Sequence, residues 1–127
     1  MKFHLQRPTS NVVTGSGPGW VRIGDTEYRD NVLVLPDVVV PGWAPDGFAA
    51  LAEPDFAALL SYKPEMVLLG TGSTQQFPHP RLLRSLSAAR IGVEVMDTRA
   101  ACRTFNILAA EDRRVAAALI VATPPST

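Results

Sequence analysis

Two short apolar runs, Met66-Val67-Leu68-Leu69 and Val93-Glu94-Val95-Met96, bracket a stretch with helical periodicity, and nothing else in the 127-residue chain restricts its fold as strongly. Each run has the length and composition of a buried strand. Between them, over about residues 80–90, Leu82, Leu83, Leu86 and Ala89 recur at the spacing of one helix face. Strand, helix, strand of this size is a βαβ unit: the strands lie parallel and the crossover is right-handed. Parallel neighbours open their C-terminal ends onto one rim. That rim carries Gly70-Thr71-Gly72 from the first strand and Asp97-Thr98 from the second.

The residues upstream read as β structure. Gly15-Ser16-Gly17-Pro18-Gly19 is a turn-rich break after Asn11-Val12-Val13, and Trp20–Ile23 alternates as a half-buried strand should. Gly24-Asp25 is a tight turn from which Thr26–Arg29 returns. Asn31–Leu35 is apolar enough to be covered on both faces, and Pro36 stops it. Val38–Val40 is a further strand, closed by Pro41-Gly42. Pro45, Asp46 and Gly47 make a loop, and Pro54 opens a helix with Phe56, Leu59 and Leu60 on one face, ending before Lys63-Pro64. Beyond the βαβ unit, Thr98 to about Ala110 is a helix whose apolar side holds Ala101, Cys102, Phe105, Leu108 and Ala109. Glu111–Arg114 is a solvated turn, Val115–Val121 a last strand, and 123–127 a flexible tail. The expected architecture is α/β. It is a single domain over 1–127 with an ordered core over 11–121, a mixed sheet backed by two or three helices, and a β-rich N-terminal third.

Twelve basic residues balance twelve acidic ones, so no net field draws in nucleic acid or an anionic membrane surface. The one cysteine forms no internal disulfide and suits a reducing compartment. His4 and His79 stand alone, without a second cysteine or clustered carboxylates, so no metal and no cofactor is expected. The N-terminus lacks the apolar core of a signal peptide, and the longest apolar run, Val115–Ala122, is far short of a membrane span. A cytoplasmic protein is the expectation.

The candidate ligand site is the rim: Gly70, Thr71, Gly72 and Ser73 on one side, Asp97, Thr98, Arg99, Cys102 and Arg103 on the other. Glycines let backbone approach a ligand closely, and their N–H groups can line an anion pocket. The pattern is not a dinucleotide fingerprint, because Gln75 holds the place of its third glycine, and no Walker lysine follows. A tight turn with positive φ is the plainer reading. Asp97 or Thr98 caps the following helix; a carboxylate at a crevice mouth is the functional alternative. Cys102, one turn into that helix beside Arg99 and Arg103, has neighbours that favour thiolate, and a Cys–His–Asp set with His79 and Asp97 can be sketched. It also falls on the apolar side, which favours an inert core thiol. Arg99 and Arg103, four apart on one face, form a basic patch for a small anionic ligand or an acidic partner, or else are solvated charge paired with Glu94, Glu111 or Asp112. Trp20 and Trp43 fit a contact surface or core packing equally. No catalytic set is assigned.

Gly15–Ile23, Leu69–Gly72, and above all Val95–Asn106 with Glu111–Leu119 resemble the small Mth938-like, or DUF498, family, over about residues 11–121. That family includes a mitochondrial assembly factor of respiratory complex I and an adipogenesis-associated protein. The resemblance implies three layers: a central mixed sheet with helices on one face and mixed helix and strand on the other. It carries no reaction and no catalytic residues, and implies a non-enzymatic assembly or regulatory role with a protein partner. The N-terminus is neither Arg-rich nor amphipathic, which suits a bacterial, cytoplasmic member rather than a mitochondrial one. The alternative is a small-molecule or anion binder, or an enzyme, using the crevice between the Gly70–Gly72 loop and the Asp97–Cys102 helix start.

Overall fold

The computed structural model describes residues 10–122; the expectations for residues 1–9 and for the tail over 123–127 lie outside the described residues. Among the described residues eight strands form two sheets. β1 (Val13–Gly17), β2 (Trp20–Ile23) and β3 (Thr26–Tyr28) make an antiparallel sheet in that order. β4 (Val32–Leu35), β5 (Val38–Pro41), β6 (Met66–Gly70), β7 (Gly92–Met96) and β8 (Val115–Leu119) make a mixed sheet in the order β5-β4-β8-β6-β7. β6 is parallel to both β7 and β8, while β4 is antiparallel to β5 and β8.

Each face of the mixed sheet has its own core, because side chains alternate along a strand. Val32, Val34, Leu68, Ala117 and Leu119 face α3 (Thr98–Ala110) and the small sheet, meeting Ala101, Phe105, Val21 and Ile23. Leu33, Leu35, Val67, Leu69, Ala116 and Ala118 face the other way, onto Trp43, Phe56, Leu59 and Leu86 of the segment that holds α1 (Glu53–Ala57) and α2 (Arg84–Ala88). The result is the three-layer arrangement that the resemblance implied. Central β8 is buried throughout, and the small side chains of Ala116, Ala117 and Ala118 let both layers come close.

Several local expectations change. The helix at Pro54 is α-helical only to Ala57; Ala58–Tyr62 tightens into a 3-10 turn, and Lys63 takes φ +54 ahead of Pro64. The stretch over 80–90 starts as a 3-10 turn at Pro80–Leu83, where His79 Nδ1 accepts Arg81 N–H, and becomes α-helical only at Arg84–Ala88. Gly15 to Gly17 lie inside β1 rather than in a turn; only Pro18-Gly19 reverses the chain. β8 ends at Leu119, after which the Val121 and Ala122 N–H groups donate to Asn31 Oδ1 at 2.6 and 2.9 Å. Asn31 is 2% exposed and also donates to Ala44 O, so one buried carboxamide ties three segments.

Candidate functional site

The two chain reversals do meet at one rim. Thr71 N–H donates to Met96 O at 2.9 Å and Thr98 N–H to Gly72 O at 2.9 Å. Gly72 N–H donates to Thr98 Oγ1 at 2.8 Å, and that hydroxyl donates to Ile120 O at 2.7 Å. Thr71 Oγ1 donates to Thr74 O and accepts Gln76 N–H, folding the loop back on itself. Thr71 is 1% and Thr98 9% exposed.

Hydrogen bonds therefore join the two sides of the expected crevice between Gly70–Gly72 and Asp97–Cys102. The Thr71 and Gly72 amides that would line an anion pocket donate within the chain instead. Gly70 explains why the two sides touch. A Cβ on it would lie 3.0 Å from Thr98 Cα and 3.1 Å from both Ala101 Cβ and Leu119 Cδ2, so its bare backbone lets α3 settle onto β6. Gly72 has φ +96, as a tight turn requires. Asp97 is the cap of α3, its Oδ1 accepting Ala100 N–H at 2.9 Å. Ser73 is exposed on the outside of the loop.

Cys102 is 4% exposed, and burial pushes its thiol up to about 11 against the opposing pull of Arg103. It is a protonated core thiol at neutral pH. His79 belongs to the opposite, helical layer, so the sketched Cys–His–Asp set is not assembled. Arg113 and Arg114, which follow α3, pair with Glu65 at 2.8 Å and Asp37 at 2.9 Å, and hold both carboxyls below their usual range.

Arg99 and Arg103 remain, exposed on the flank of α3 that faces β1. They line a groove of about 260 Å³ with Thr14, Ser16, Cys102 and Asn106. Asn106 escaped the sequence reading, although it is the main link between the walls: its Oδ1 accepts Val13 N–H and its Nδ2 donates to Val13 O, both at 2.8 Å. The partners stand 93 positions apart, so no local pattern announces them.

The tryptophans divide. Trp43 is buried, donates its indole N–H to Asp55 O at 2.9 Å and meets Phe56 edge to face at 5.9 Å. Trp20 lies over β1: a Cβ on Gly15 or Gly17 would come within 3.3 Å or 2.5 Å of its indole. Arg22 stacks on its ring at 5.6 Å. The glycine-rich motif thus makes room for an indole. Among the described residues no helix is long and apolar enough to cross a membrane.

The model of the family described as "Protein of unknown function (DUF498/DUF598)" matches residues 13–120, which contain all the strands of both sheets and α1, α2 and α3. The chain belongs to this family. It is 36% identical over 107 residues to the mouse protein named NADH dehydrogenase [ubiquinone] 1 alpha subcomplex assembly factor 3, covering 83% of this chain and 57% of the mouse protein. The chain thus spans little more than half the length of that relative. Among solved structures, a Xanthomonas campestris protein matches with TM-score 0.83 at 30% identity, over 100% of this chain and 97% of the other. A Bordetella pertussis protein described as an Mth938-like domain matches with TM-score 0.69 at 30% identity, over 95% of this chain and 92% of the other.

Proposed function

We infer that the chain is a non-enzymatic protein-binding factor that works in the assembly of an NADH dehydrogenase complex. The observation that carries this reading is its similarity, over 83% of its length, to a mouse protein named as such an assembly factor. The rim chemistry supports it. The Thr98 hydroxyl and the Gly72 amide are spent on holding α3 to the sheet, the Thr71 hydroxyl and amide on the loop and the end of β7, and the Cys102 thiol is buried and protonated. A single cysteine suits the cytoplasm as its place of action on this reading.

The test is affinity capture of the tagged chain, with crosslinking, from the cell that makes it, together with deletion of its gene. Recovery of NADH dehydrogenase subunits and a loss of assembled complex in the deletion strain are expected. Capture without any such subunit, and complex at its normal level after deletion, would overturn the assignment.

A further inference from the structure

We propose that the groove between β1 and the first half of α3 receives a short acidic segment of the protein partner, laid in extended form along the free edge of β1. This deepens the binding-factor reading and rests on it.

The edge is defined by the β1–β2 register. Gly17 faces Trp20 across a two-residue loop, so this closing pair exchanges hydrogen bonds, and its neighbour Ser16 points its N–H and C=O away from β2. A bulge between Val13 and Gly15 resets the alternation and turns Val13 outward too. Val13 is the position where both outward groups are taken by the Asn106 carboxamide, one donor and one acceptor standing where a neighbouring strand's peptide would stand. Ser16 is the next outward position on the same edge, and no hydrogen bond to its outward N–H or C=O is made among the described residues. An open edge of this kind accepts an added strand.

Charge selects the occupant. Arg99 and Arg103 form the opposite wall and make no ion pair among the described residues. The nearby Asp97 carboxylate is held by Ala100 N–H. Val12 and Ile107, 44% and 60% exposed, flank the Val13–Asn106 link and offer apolar contact beyond the arginines. The volume of about 260 Å³ lies below the roughly 300–1,000 Å³ of sites that enclose small molecules. A peptide backbone on Ser16, with a carboxylate reaching Arg99 and Arg103, satisfies all of these groups.

The experiment selects short random peptides by display on the full chain. Acidic peptides should be enriched, and their binding should shift the backbone amide signals of Ser16, Arg99 and Arg103. The pair Arg99→Glu with Arg103→Glu should weaken binding by about tenfold or more, and lysine-for-acid peptides should recover it. Ser16→Pro should weaken binding similarly without lowering the unfolding temperature, since that N–H lies outside the β1–β2 ladder. Enriched peptides without acids, or undiminished binding to the charge-reversed pair, would overturn the proposal. So would displacement of the peptides by inorganic phosphate, which marks a small-anion site, or dimerisation that Ser16→Pro abolishes, which marks a second copy. The two readings separate in cells. If the charge-reversed pair still captures NADH dehydrogenase subunits, the assembly role stands and this surface falls. If the wild-type chain captures none while acidic peptides bind the groove, the reverse holds.

Discussion

Thr98 and Gly72 hold each other twice: Thr98 Oγ1 accepts Gly72 N–H at 2.8 Å, and Thr98 N–H donates to Gly72 O at 2.9 Å. The same hydroxyl donates to Ile120 O at 2.7 Å, so one side chain joins the ends of β6 and β8 to the start of α3. Thr98→Val keeps the shape and removes the hydroxyl, leaving a donor at Gly72 and an acceptor at Ile120 with no partner. The expected loss is about 2–4 kcal/mol, because each orphaned polar group costs its desolvation. Thr98→Ser keeps the hydroxyl and should cost about 1 kcal/mol or less, for the methyl alone. Urea unfolding of both variants checks this; equal losses would assign the effect to packing instead of hydrogen bonding.

Gly70 and Gly92 give opposite outcomes for one chemical change. In an ordinary strand, Gly→Ala is neutral or stabilising by up to about 1 kcal/mol, since the unfolded chain loses freedom. At Gly92 a Cβ meets nothing within 4 Å, so Gly92→Ala should follow that rule. At Gly70 the Cβ would press on the Thr98 backbone at 3.0 Å, and backbone does not swing aside. Gly70→Ala should destabilise by about 1–3 kcal/mol through overpacking. Thermal unfolding of the two single variants, measured side by side, tests the contrast.

Cys102 yields a pH prediction. Its folded-state value is raised from 9.0 to about 11, so the folded chain keeps the proton that the unfolded chain gives up first. Its contribution to stability is intact below pH 9 and is lost as the pH rises towards 11, on the order of 2 kcal/mol across that window. The fall should shrink in Cys102→Ala, whose other titrations are unchanged; an identical fall in both would assign it elsewhere. A thiol reagent at neutral pH should react slowly with the native chain and rapidly in denaturant.

Much of the fold was legible in local pattern. The α3 helix runs over the expected Thr98–Ala110, because an N-cap, an apolar side and a following turn are short-range signals. The β6–β7 pair is parallel, and Val32–Leu35 is buried on both faces, as continuous apolar runs imply. Gly15 to Gly17 misled because glycines there serve an indole stacked from the next strand, not a turn.

By itself the sequence determined the periodicities, the caps and the neighbourhood of Thr71 and Thr98, since these follow from residues a few positions apart and from the handedness of one crossover. Only the tertiary structure decided whether space remained between them. That depends on how closely α3 lies on β6, which Gly70, Leu119 and Ala101 set together from three separate elements. It likewise decided that β8 sits between β4 and β6, and that Asn106 reaches Val13 to leave Ser16 on an open edge beside two arginines. Contacts between residues distant in the chain are settled by packing and by the pairing of buried polar groups, and neither writes a period into the sequence.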